Sequence, residues 1–327
     1  MKTQIRKIAV FTSGGDAPGM NAALRAVVRS AIYYELEVEG ISKGYEGMIK
    51  NHFARLDVRS VNNILNRGGT MLKSARCEEF RHPEGRKKAY ENLRKRDIDA
   101  IVAIGGDGTF TGAHIFFEEF GIPVIGIPAT IDNDLSGTDY TIGFDTATNT
   151  AVEAIDKIRD TASSHDRLFF IEVMGRNSGF IAINSGISGG AVAIIIPEEE
   201  MSVDRLIARL EKSGKRKKTS SLVIVAEGGF KGGAIRLAEE VRNKIDYYDT
   251  RVTILGHLQR GGAPTSFDRV LASRMGVAAI EGLLDGKKDV MSGMSTNKIT
   301  FTPLAEAIQY KNEIDREAFR VAKILSI

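Results

Sequence analysis

Short runs of hydrophobic residues alternate with longer, half-polar stretches along almost the whole chain. The runs at 7–11, 99–104, 123–127, 168–173, 192–196, 222–226 and 252–255 have the length and the Val/Ile content of buried strands. Apolar residues recur at helical spacing in the segments between them, as at 21–28 and 112–120. Strands that alternate with helices predict an α/β fold of parallel sheets with helices on both faces.

The composition is typical of a globular enzyme and excludes several other classes. A chain of 327 residues predicts about two domains with a large core. The 45 Lys and Arg against 42 Asp and Glu leave a net charge of +3, which is too balanced for a protein that binds nucleic acid through bulk charge. A single cysteine, Cys77, rules out an intrachain disulfide. With neither a signal peptide nor a long apolar run, we expect a cytoplasmic protein without a membrane partner.

Two glycine-framed turns carry most of the chemistry that the sequence suggests. Gly105–Gly108 follows one predicted strand, and Pro128–Asp134 follows the next. In an extended loop, Asp132 and Asp134 would share one face while Asn133 points away. Carboxylates beside a glycine-rich phosphate cradle indicate Mg²⁺-dependent phosphoryl transfer. The alternative is that these are ordinary turn residues, since Asp, Asn and Gly favour turns.

A third glycine pair lies where the first strand leads into a helix. The backbone N–H groups of Gly14 and Gly15, together with the helix N-terminus, can meet a phosphate group. Neither the dinucleotide fingerprint G-x-G-x-x-G nor the P-loop pattern G-x-x-x-x-G-K-[ST] is present. The sequence therefore indicates a phosphate site of a different type.

Three further segments offer groups for an anionic substrate. Met174–Arg176, Glu227–Gly229 and Gly256–Gly262 each follow a predicted strand, and ligands of open α/β sheets bind at the carboxyl ends of strands. Arginine suits phosphate because its planar fork donates two hydrogen bonds at once. Each of these residues also has a non-functional interpretation: an arginine can be a surface charge, Glu227 can cap a turn, and His257 can be a core histidine whose hydrogen bonds are made within the protein.

The segments TSGGDAPGMNAALR, GGDGT, TIDND, MGR and GHLQRGG resemble, in this order, the bacterial ATP-dependent 6-phosphofructokinases. The resemblance implies a homotetramer of α/β subunits, each with two doubly wound, mostly parallel Rossmann-like sheets and the active site in the cleft between them. It implies a larger nucleotide-binding domain, 1–143 plus 259–309, and a smaller sugar-phosphate-binding domain, 144–258 plus 310–327. The implied reaction is the glycolytic transfer of the ATP γ-phosphoryl group to the 1-hydroxyl of fructose 6-phosphate, with Mg²⁺ as cofactor.

The same resemblance assigns roles to individual residues. Asp132 matches the proton acceptor, and Asp107 and Asp134 match the Mg²⁺-associated carboxylates. Positions matching the nucleotide site are Gly15, Tyr45, Arg76, Cys77, Gly106, Asp107, Gly108 and Thr109. Positions matching the sugar-phosphate site are Thr130, Ile131, Asp132, Met174, Gly175, Arg176, Glu227, His257, Leu258, Gln259 and Arg260. Arg167 and Arg251 match arginines donated by a neighbouring subunit, and Gly15, Arg76, Thr130 and Arg176 join Asp132 in the catalytic set.

Two positions bear on the phosphoryl donor. Gly108, after the GGD aspartate, agrees with the ATP-using pattern, whereas Ala129 stands where that pattern usually has Gly. Pyrophosphate-using relatives typically carry Asp and Lys at these two places, and neither is present. The sequence thus favours ATP, with a pyrophosphate-dependent enzyme and a non-catalytic nucleotide-binding subunit as the alternatives.

A second set of basic residues matches the family's effector interface. Its members are the basic residues Arg25, Arg29, Arg159, Arg216 and Lys218, together with Gly190. The family's Arg before Ser60 is replaced by Val58, with Arg59 beside it, and the acidic residue expected two after Gly190 is Val192. An apolar side chain cannot ligate Mg²⁺. We therefore expect weak or absent activation by Mg-ADP, with phosphoenolpyruvate or another small phosphate as the remaining ligand class; the alternative is a salt-bridged interface without a ligand.

Overall fold

The computed structural model describes residues 5–164, 167–214 and 221–326. The strands are β1 (Lys7–Thr12), β2 (Glu37–Ile41), β3 (Phe53–Leu56), β4 (Ala100–Gly105), β5 (Val124–Pro128), β6 (Arg167–Val173), β7 (Ala193–Ile195), β8 (Ser221–Ala226), β9 (Asp249–Ile254), β10 (Val290–Ser295) and β11 (Lys298–Pro303). The helices are α1 (Met20–Tyr33), α2 (Gly44–Ile49), α3 (Pro83–Arg94), α4 (Asp107–Phe120), α5 (Phe144–Ser163), α6 (Phe180–Ser188), α7 (Val203–Gly214), α8 (Gly233–Arg242), α9 (Ser266–Leu284), α10 (Leu304–Gln309) and α11 (Arg316–Leu325). Short 3₁₀ turns occupy Glu79–Arg81 and Gly256–Arg260.

The chain folds into two compact units. Unit 1 comprises Met1–Asp145 and Arg260–Asn312, and unit 2 comprises Thr146–Gln259 and Glu313–Ile327. Each unit is built around one sheet. The chain passes from unit 1 to unit 2 twice, after Asp145 and after Asn312.

Unit 1 contains a seven-stranded sheet in the order β11-β10-β5-β4-β1-β2-β3. The five inner strands are mutually parallel, and the edge strands β11 and β3 run antiparallel to their neighbours. Alternate residues of the strands point to opposite faces. On one face, Phe11 and Ile101 pack in a hydrophobic core with residues of α2, α3, α4 and α10. On the other face, Ile125 packs against α9, next to Gly282.

Unit 2 contains a fully parallel sheet in the order β7-β8-β6-β9. Phe170 and Val223 pack with α7 and α8 on one face. Ile194 and Ile224 approach Gly186 of α6 on the other face. The predicted α/β fold, with two mostly parallel sheets covered by helices, is confirmed.

The seven predicted strands all occur, with ends shifted by at most three residues. The sequence pattern did not reveal β2 because its interior carries Glu39, which is 6% exposed and forms ion pairs with Lys7 and Arg96. The hairpin of β10 and β11 was also missed; its turn places Thr296 and Asn297 at positive φ, as type I′ hairpin turns require. Among the described residues, no helix combines the length and the apolar content needed to cross a membrane.

Candidate active site

Three loops of unit 1 meet at one edge of its sheet. They follow β1, β4 and β5, which are adjacent and parallel, so their carboxyl ends lie at the same edge. Two backbone hydrogen bonds hold the loops together: Ser13 N donates to Ile104 O at 3.0 Å, and Ala129 N donates to Gly105 O at 2.9 Å. The sequence segments TSGGD, GGDGT and TIDND are therefore direct neighbours.

The loop after β4 is tightly packed around Gly105. A Cβ at this position would lie 2.6 Å from Ser13 O and 2.4 Å from Thr109 Oγ1, so only glycine fits. Thr109 is 3% exposed, and its Oγ1 has no hydrogen-bond partner among the described residues. A buried hydroxyl without a partner costs about 1–3 kcal/mol, which is a reason to expect a ligand oxygen beside it.

Helix α4 begins at Asp107, earlier than the segment 112–120 that the sequence indicated. Gly106 caps the helix, and Asp107 lies in its first turn, where the helix dipole favours a negative charge. A Cβ at Gly108 would meet no atom within 4 Å. The glycine turn is thus the exposed N-terminus of a 14-residue helix, a favourable position for phosphate.

Tyr45 supports this helix from the core. It is 7% exposed and stacks on Phe80 with ring centroids 3.9 Å apart. Its hydroxyl donates to Thr109 O at 2.5 Å, and burial raises the pKa of the Tyr45 hydroxyl. Cys77 is half-buried against the same core, and burial raises the pKa of its thiol. Arg76, the residue before Cys77, is exposed.

The loop after β5 is not extended, so the premise that Asp132 and Asp134 share a face through strand-like alternation was wrong. Asn133 adopts a left-handed φ of 51° because its side chain is bound in the interior. Its Oδ1 accepts a hydrogen bond from Thr141 N at 2.7 Å, and its Nδ2 donates to Asp139 O at 3.1 Å. Asn133 is buried, whereas Asp132 and Asp134 are partly exposed.

Other members of this loop are close to the glycine turn after β4. A Cβ at Gly106 would lie 3.5 Å from Thr130 Cβ. The Thr130 hydroxyl accepts a hydrogen bond from Asp132 N at 3.3 Å, and Ile131 is fully buried beneath it. The buried Ile131 and Asn133 fix the backbone on either side of Asp132.

A lysine that sequence reasoning missed joins the two predicted metal ligands. Lys311 Nζ lies 2.9 Å from Asp107 Oδ2 and 2.9 Å from Asp134 Oδ2. Burial disfavours the ammonium charge, but the hydrogen bonds to both carboxylates outweigh it and raise the pKa of Lys311. The two carboxylates therefore come together around one cation. No sequence motif surrounds Lys311, which lies just before the chain returns to unit 2, so the sequence offered no signal for its role.

Arg260 reaches the glycine loop after β1. Its Nη1 donates to Asp16 O at 3.1 Å, and a Cβ at Gly15 would lie 2.7 Å from the same nitrogen. Two residues that the sequence placed in different subsites, Gly15 and Arg260, are thus in contact.

In unit 2, the predicted sugar-phosphate residues follow neighbouring parallel strands. Met174–Arg176 follows β6, Glu227 follows β8, and the 256–260 turn follows β9. Arg176 N donates to Glu227 Oε2 at 3.3 Å, so Glu227 does act partly as a turn partner. His257 and Leu258 are exposed, which is inconsistent with the alternative of a core histidine.

The buried side chain of Gln259 connects two of these loops. It is fully buried; its Oε1 accepts a hydrogen bond from Met174 N at 3.2 Å, and its Nε2 donates to Gly256 O at 3.0 Å. Both polar ends of the side chain therefore bind backbone. Gln259 positions the loops that carry Met174 and His257.

We expect Gln259→Leu to lower the free energy of unfolding by about 1–3 kcal/mol, because Met174 N–H is left without an acceptor. Urea denaturation followed by circular dichroism measures this. Leu258→Ala is the control; Leu258 is 62% exposed, so its truncation should change stability by less than about 0.5 kcal/mol. Equal effects of the two variants would contradict the positioning role.

Arg167 and Arg251 are held side by side by an aspartate that the sequence analysis did not single out. Asp249 Oδ2 accepts hydrogen bonds from Arg167 Nε at 2.9 Å and from Arg251 Nη2 at 3.0 Å. The hydrogen bond from Arg167, supported by the charge of Arg251, lowers the pKa of Asp249. The strand register explains the meeting, since β6 and β9 pair Arg167 with Asp249. Two guanidinium groups therefore stand together on the surface of unit 2.

The predicted effector residues fall into separate groups. Arg25 and Arg29 lie on α1 of unit 1. In unit 2, a Cβ at Gly190 would be 3.2 Å from Arg159 Nη2, and that nitrogen has no hydrogen-bond partner among the described residues. Val192 is 3% exposed and belongs to the core of unit 2. Arg216 and Lys218 lie outside the described residues.

The chain is similar to known proteins over almost its whole length. Residues 7–283 match the sequence model of the phosphofructokinases. The chain is 53% identical over 323 residues to ATP-dependent 6-phosphofructokinase 2 of Bacteroides thetaiotaomicron, covering 99% of both chains. It is 54% identical to ATP-dependent 6-phosphofructokinase 1 of Thermus thermophilus, covering 99% of this chain and 100% of that one.

The chain is also similar to solved structures of phosphofructokinases. The phosphofructokinase of Saccharomyces cerevisiae superimposes with a TM-score of 0.89 at 36% identity, covering 98% of this chain and 46% of the yeast chain. This chain thus spans just under half of that protein. The Pichia pastoris enzyme gives a TM-score of 0.88 at 38% identity, covering 98% of this chain and 36% of that one. On the fold, the sequence match and these similarities together, this chain belongs to the phosphofructokinase family.

Proposed function

We propose that this chain is an ATP-dependent 6-phosphofructokinase, a kinase that transfers the ATP γ-phosphoryl group to the 1-hydroxyl of fructose 6-phosphate in glycolysis. The products are fructose 1,6-bisphosphate and ADP. The observation that most directly supports this is the convergence of Asp107, Asp134 and the Thr130–Asp132 loop at one sheet edge. The curated relatives that are more than half identical carry the name of this activity.

In this proposal, unit 1 holds the nucleotide. The N-terminus of α4, with Gly106, Gly108 and Thr109, would receive phosphate oxygens; the unpartnered hydroxyl of Thr109 supports that role. Gly15 and the exposed Arg76 would contact the same nucleotide, and Arg76 would also reach the sugar phosphate. Phosphoryl transfer needs little covalent help, so positioning and neutralisation of charge supply most of the rate.

The carboxylate pair suits Mg²⁺. Asp107 and Asp134 already hold one cation, the Lys311 ammonium, between their oxygens, and oxygen donors are what Mg²⁺ prefers. We assign these two carboxylates as its holders. When bound, Mg²⁺ neutralises charge on the β- and γ-phosphates.

Asp132 would accept the proton of the sugar 1-hydroxyl. Thr130 and Ile131 hold its backbone in place. The sugar phosphate would be bound by Met174–Arg176, Glu227, His257 and Arg260, with Gln259 positioning these loops. That both groups of residues serve one active site remains a prediction from the family resemblance.

We further propose a cytoplasmic homotetramer in which Arg167 and Arg251 complete the site of a neighbouring subunit. The support is the pairing of both arginines on Asp249, which presents two guanidinium groups on one surface. Such a pair suits a phosphate ester, because each fork can donate two hydrogen bonds.

A coupled assay of fructose 1,6-bisphosphate formation tests the donor, with ATP and then pyrophosphate as the phosphoryl source. We expect turnover with ATP and none with pyrophosphate, since the Asp and Lys of pyrophosphate-using relatives are absent. Ala129 is 1% exposed, so its methyl lies inside unit 1 and takes no space from the exposed loop. Turnover with pyrophosphate alone would reject the proposal, and inactivity with both donors would favour a non-catalytic binding subunit.

For regulation, we propose that Mg-ADP activates weakly or not at all. Val192 is packed in the core of unit 2 and offers no oxygen to a metal, whereas Arg159 keeps a buried nitrogen beside Gly190 that a compact phosphate could use. Titration of Mg-ADP and of phosphoenolpyruvate at subsaturating fructose 6-phosphate tests this. Strong activation by ADP would contradict it.

A further inference from the structure

The position of Lys311 has a consequence for metal binding. Its ammonium makes two equal hydrogen bonds of 2.9 Å to the carboxylates of Asp107 and Asp134. Those carboxylates come from the loops after β4 and β5, which are adjacent at the edge of the sheet. Without a cation, two negative charges brought this close would repel each other.

We propose that Lys311 is a displaceable counter-ion: it neutralises the carboxylate pair in the nucleotide-free protein, competes there with a divalent cation, and withdraws when the metal arrives with its nucleotide. This inference rests on the proposed function of Asp107 and Asp134. Lysine suits such a role because its ammonium is a compact, strongly hydrated charge on a flexible stem.

The backbone around Lys311 is anchored independently of its ammonium. Lys311 pairs with Leu135 in a β-bridge, Asn312 N donates to Asp134 O at 3.2 Å, and Asn312 Nδ2 donates to Thr138 O at 2.9 Å. The main chain can therefore stay in place while the side chain moves. The Lys311 side chain is 50% exposed, so its ammonium can regain water when it leaves.

The competition would keep the occupancy of the carboxylate pair by free metal low. Free Mg²⁺ must remove the ammonium for the gain of two carboxylates alone. Mg²⁺ bound to nucleotide brings phosphate ligands of its own, and it is typically held by one or two carboxylates plus phosphates. The cost of displacing the ammonium is the same for both forms of the metal, but the phosphate contacts of the nucleotide offset it, so the metal–nucleotide complex binds at concentrations at which free metal does not.

Binding of Mn²⁺, a paramagnetic substitute for Mg²⁺, tests this through the electron paramagnetic resonance signal of the unbound ion. We expect Lys311→Met, which removes the charge from a side chain of similar length, to bind Mn²⁺ about two- to thirtyfold more tightly than the wild type without nucleotide, the combined range for two partly exposed ion pairs. Lys87→Met, at an exposed lysine of α3, is the matched control and should equal the wild type.

Two further variants locate the metal. Asp107→Asn and Asp134→Asn in the Lys311→Met background should each abolish the gain. Unchanged Mn²⁺ affinity in Lys311→Met, or a gain that survives both Asn substitutions, would overturn the role of Lys311. Failure of the wild type to retain the Mn²⁺–ATP complex in equilibrium dialysis would instead reject the proposed kinase function, because that complex is expected to bind with Lys311 in place.

Discussion

Asp132→Asn should lower kcat by about 10²–10⁴-fold, the usual contribution of a general base, with the KM for fructose 6-phosphate broadly unchanged. The amide is isosteric with the carboxylate but cannot take the proton from the sugar hydroxyl. Because Ile131 and Asn133 are buried on either side, the loop backbone should keep its position in the variant. Initial rates in the coupled assay, over a range of fructose 6-phosphate concentrations, give both parameters.

The matched control is Asp285→Asn, the same chemical change at an exposed residue after α9. It should have near-normal kcat. A near-normal kcat in Asp132→Asn would refute the assignment of the base, and a KM raised as strongly as kcat is lowered would indicate a binding role instead.

Arg251→Ala should raise the KM for fructose 6-phosphate about 10- to 100-fold, since a hydrogen bond between charged groups contributes roughly 1.5–3 kcal/mol. Substitution of Arg251 also leaves Asp249 paired with Arg167 alone, so one guanidinium group instead of two remains to bind a phosphate. Arg236→Ala is the control; it removes an exposed arginine of α8 that pairs with Glu240, and it should leave the KM unchanged.

Mixing equal amounts of Asp132→Asn and Arg251→Ala, assayed at low fructose 6-phosphate where both have little activity, tests whether sites are shared between subunits. Asp132→Asn supplies an intact Arg251, and Arg251→Ala supplies an intact Asp132. In randomly exchanged symmetric oligomers with sites shared in this way, about one quarter of the sites would hold both intact residues. Activity at low fructose 6-phosphate should therefore reappear in the mixture. If the subunits exchange and activity does not return, the shared site is rejected.

The sequence by itself determined the α/β class and the chemistry of the loops. Strands such as β1, β4 and β8 are nearly continuous apolar runs because both of their faces are buried, and that burial is visible in composition. The glycines and carboxylates of GGDGT and TIDND were recognisable because their residue types suit phosphate and Mg²⁺ directly. The edge strand β3, which is only four residues long and is exposed in its middle, left no comparable signal.

Only the tertiary structure decided which side chains meet. Lys311 is 204 residues from Asp107 and 177 from Asp134, and Asp249 is 82 residues from Arg167; contacts of this kind depend on strand order and register, which hydrophobic periodicity does not encode. Tyr45 and Gln259 show the same limit, since their hydroxyl and amide groups bind backbone that the fold brings to them. The sequence determines which groups are available, and the packing of the sheet determines their partners, because side-chain contacts are set in three dimensions by elements distant in the chain.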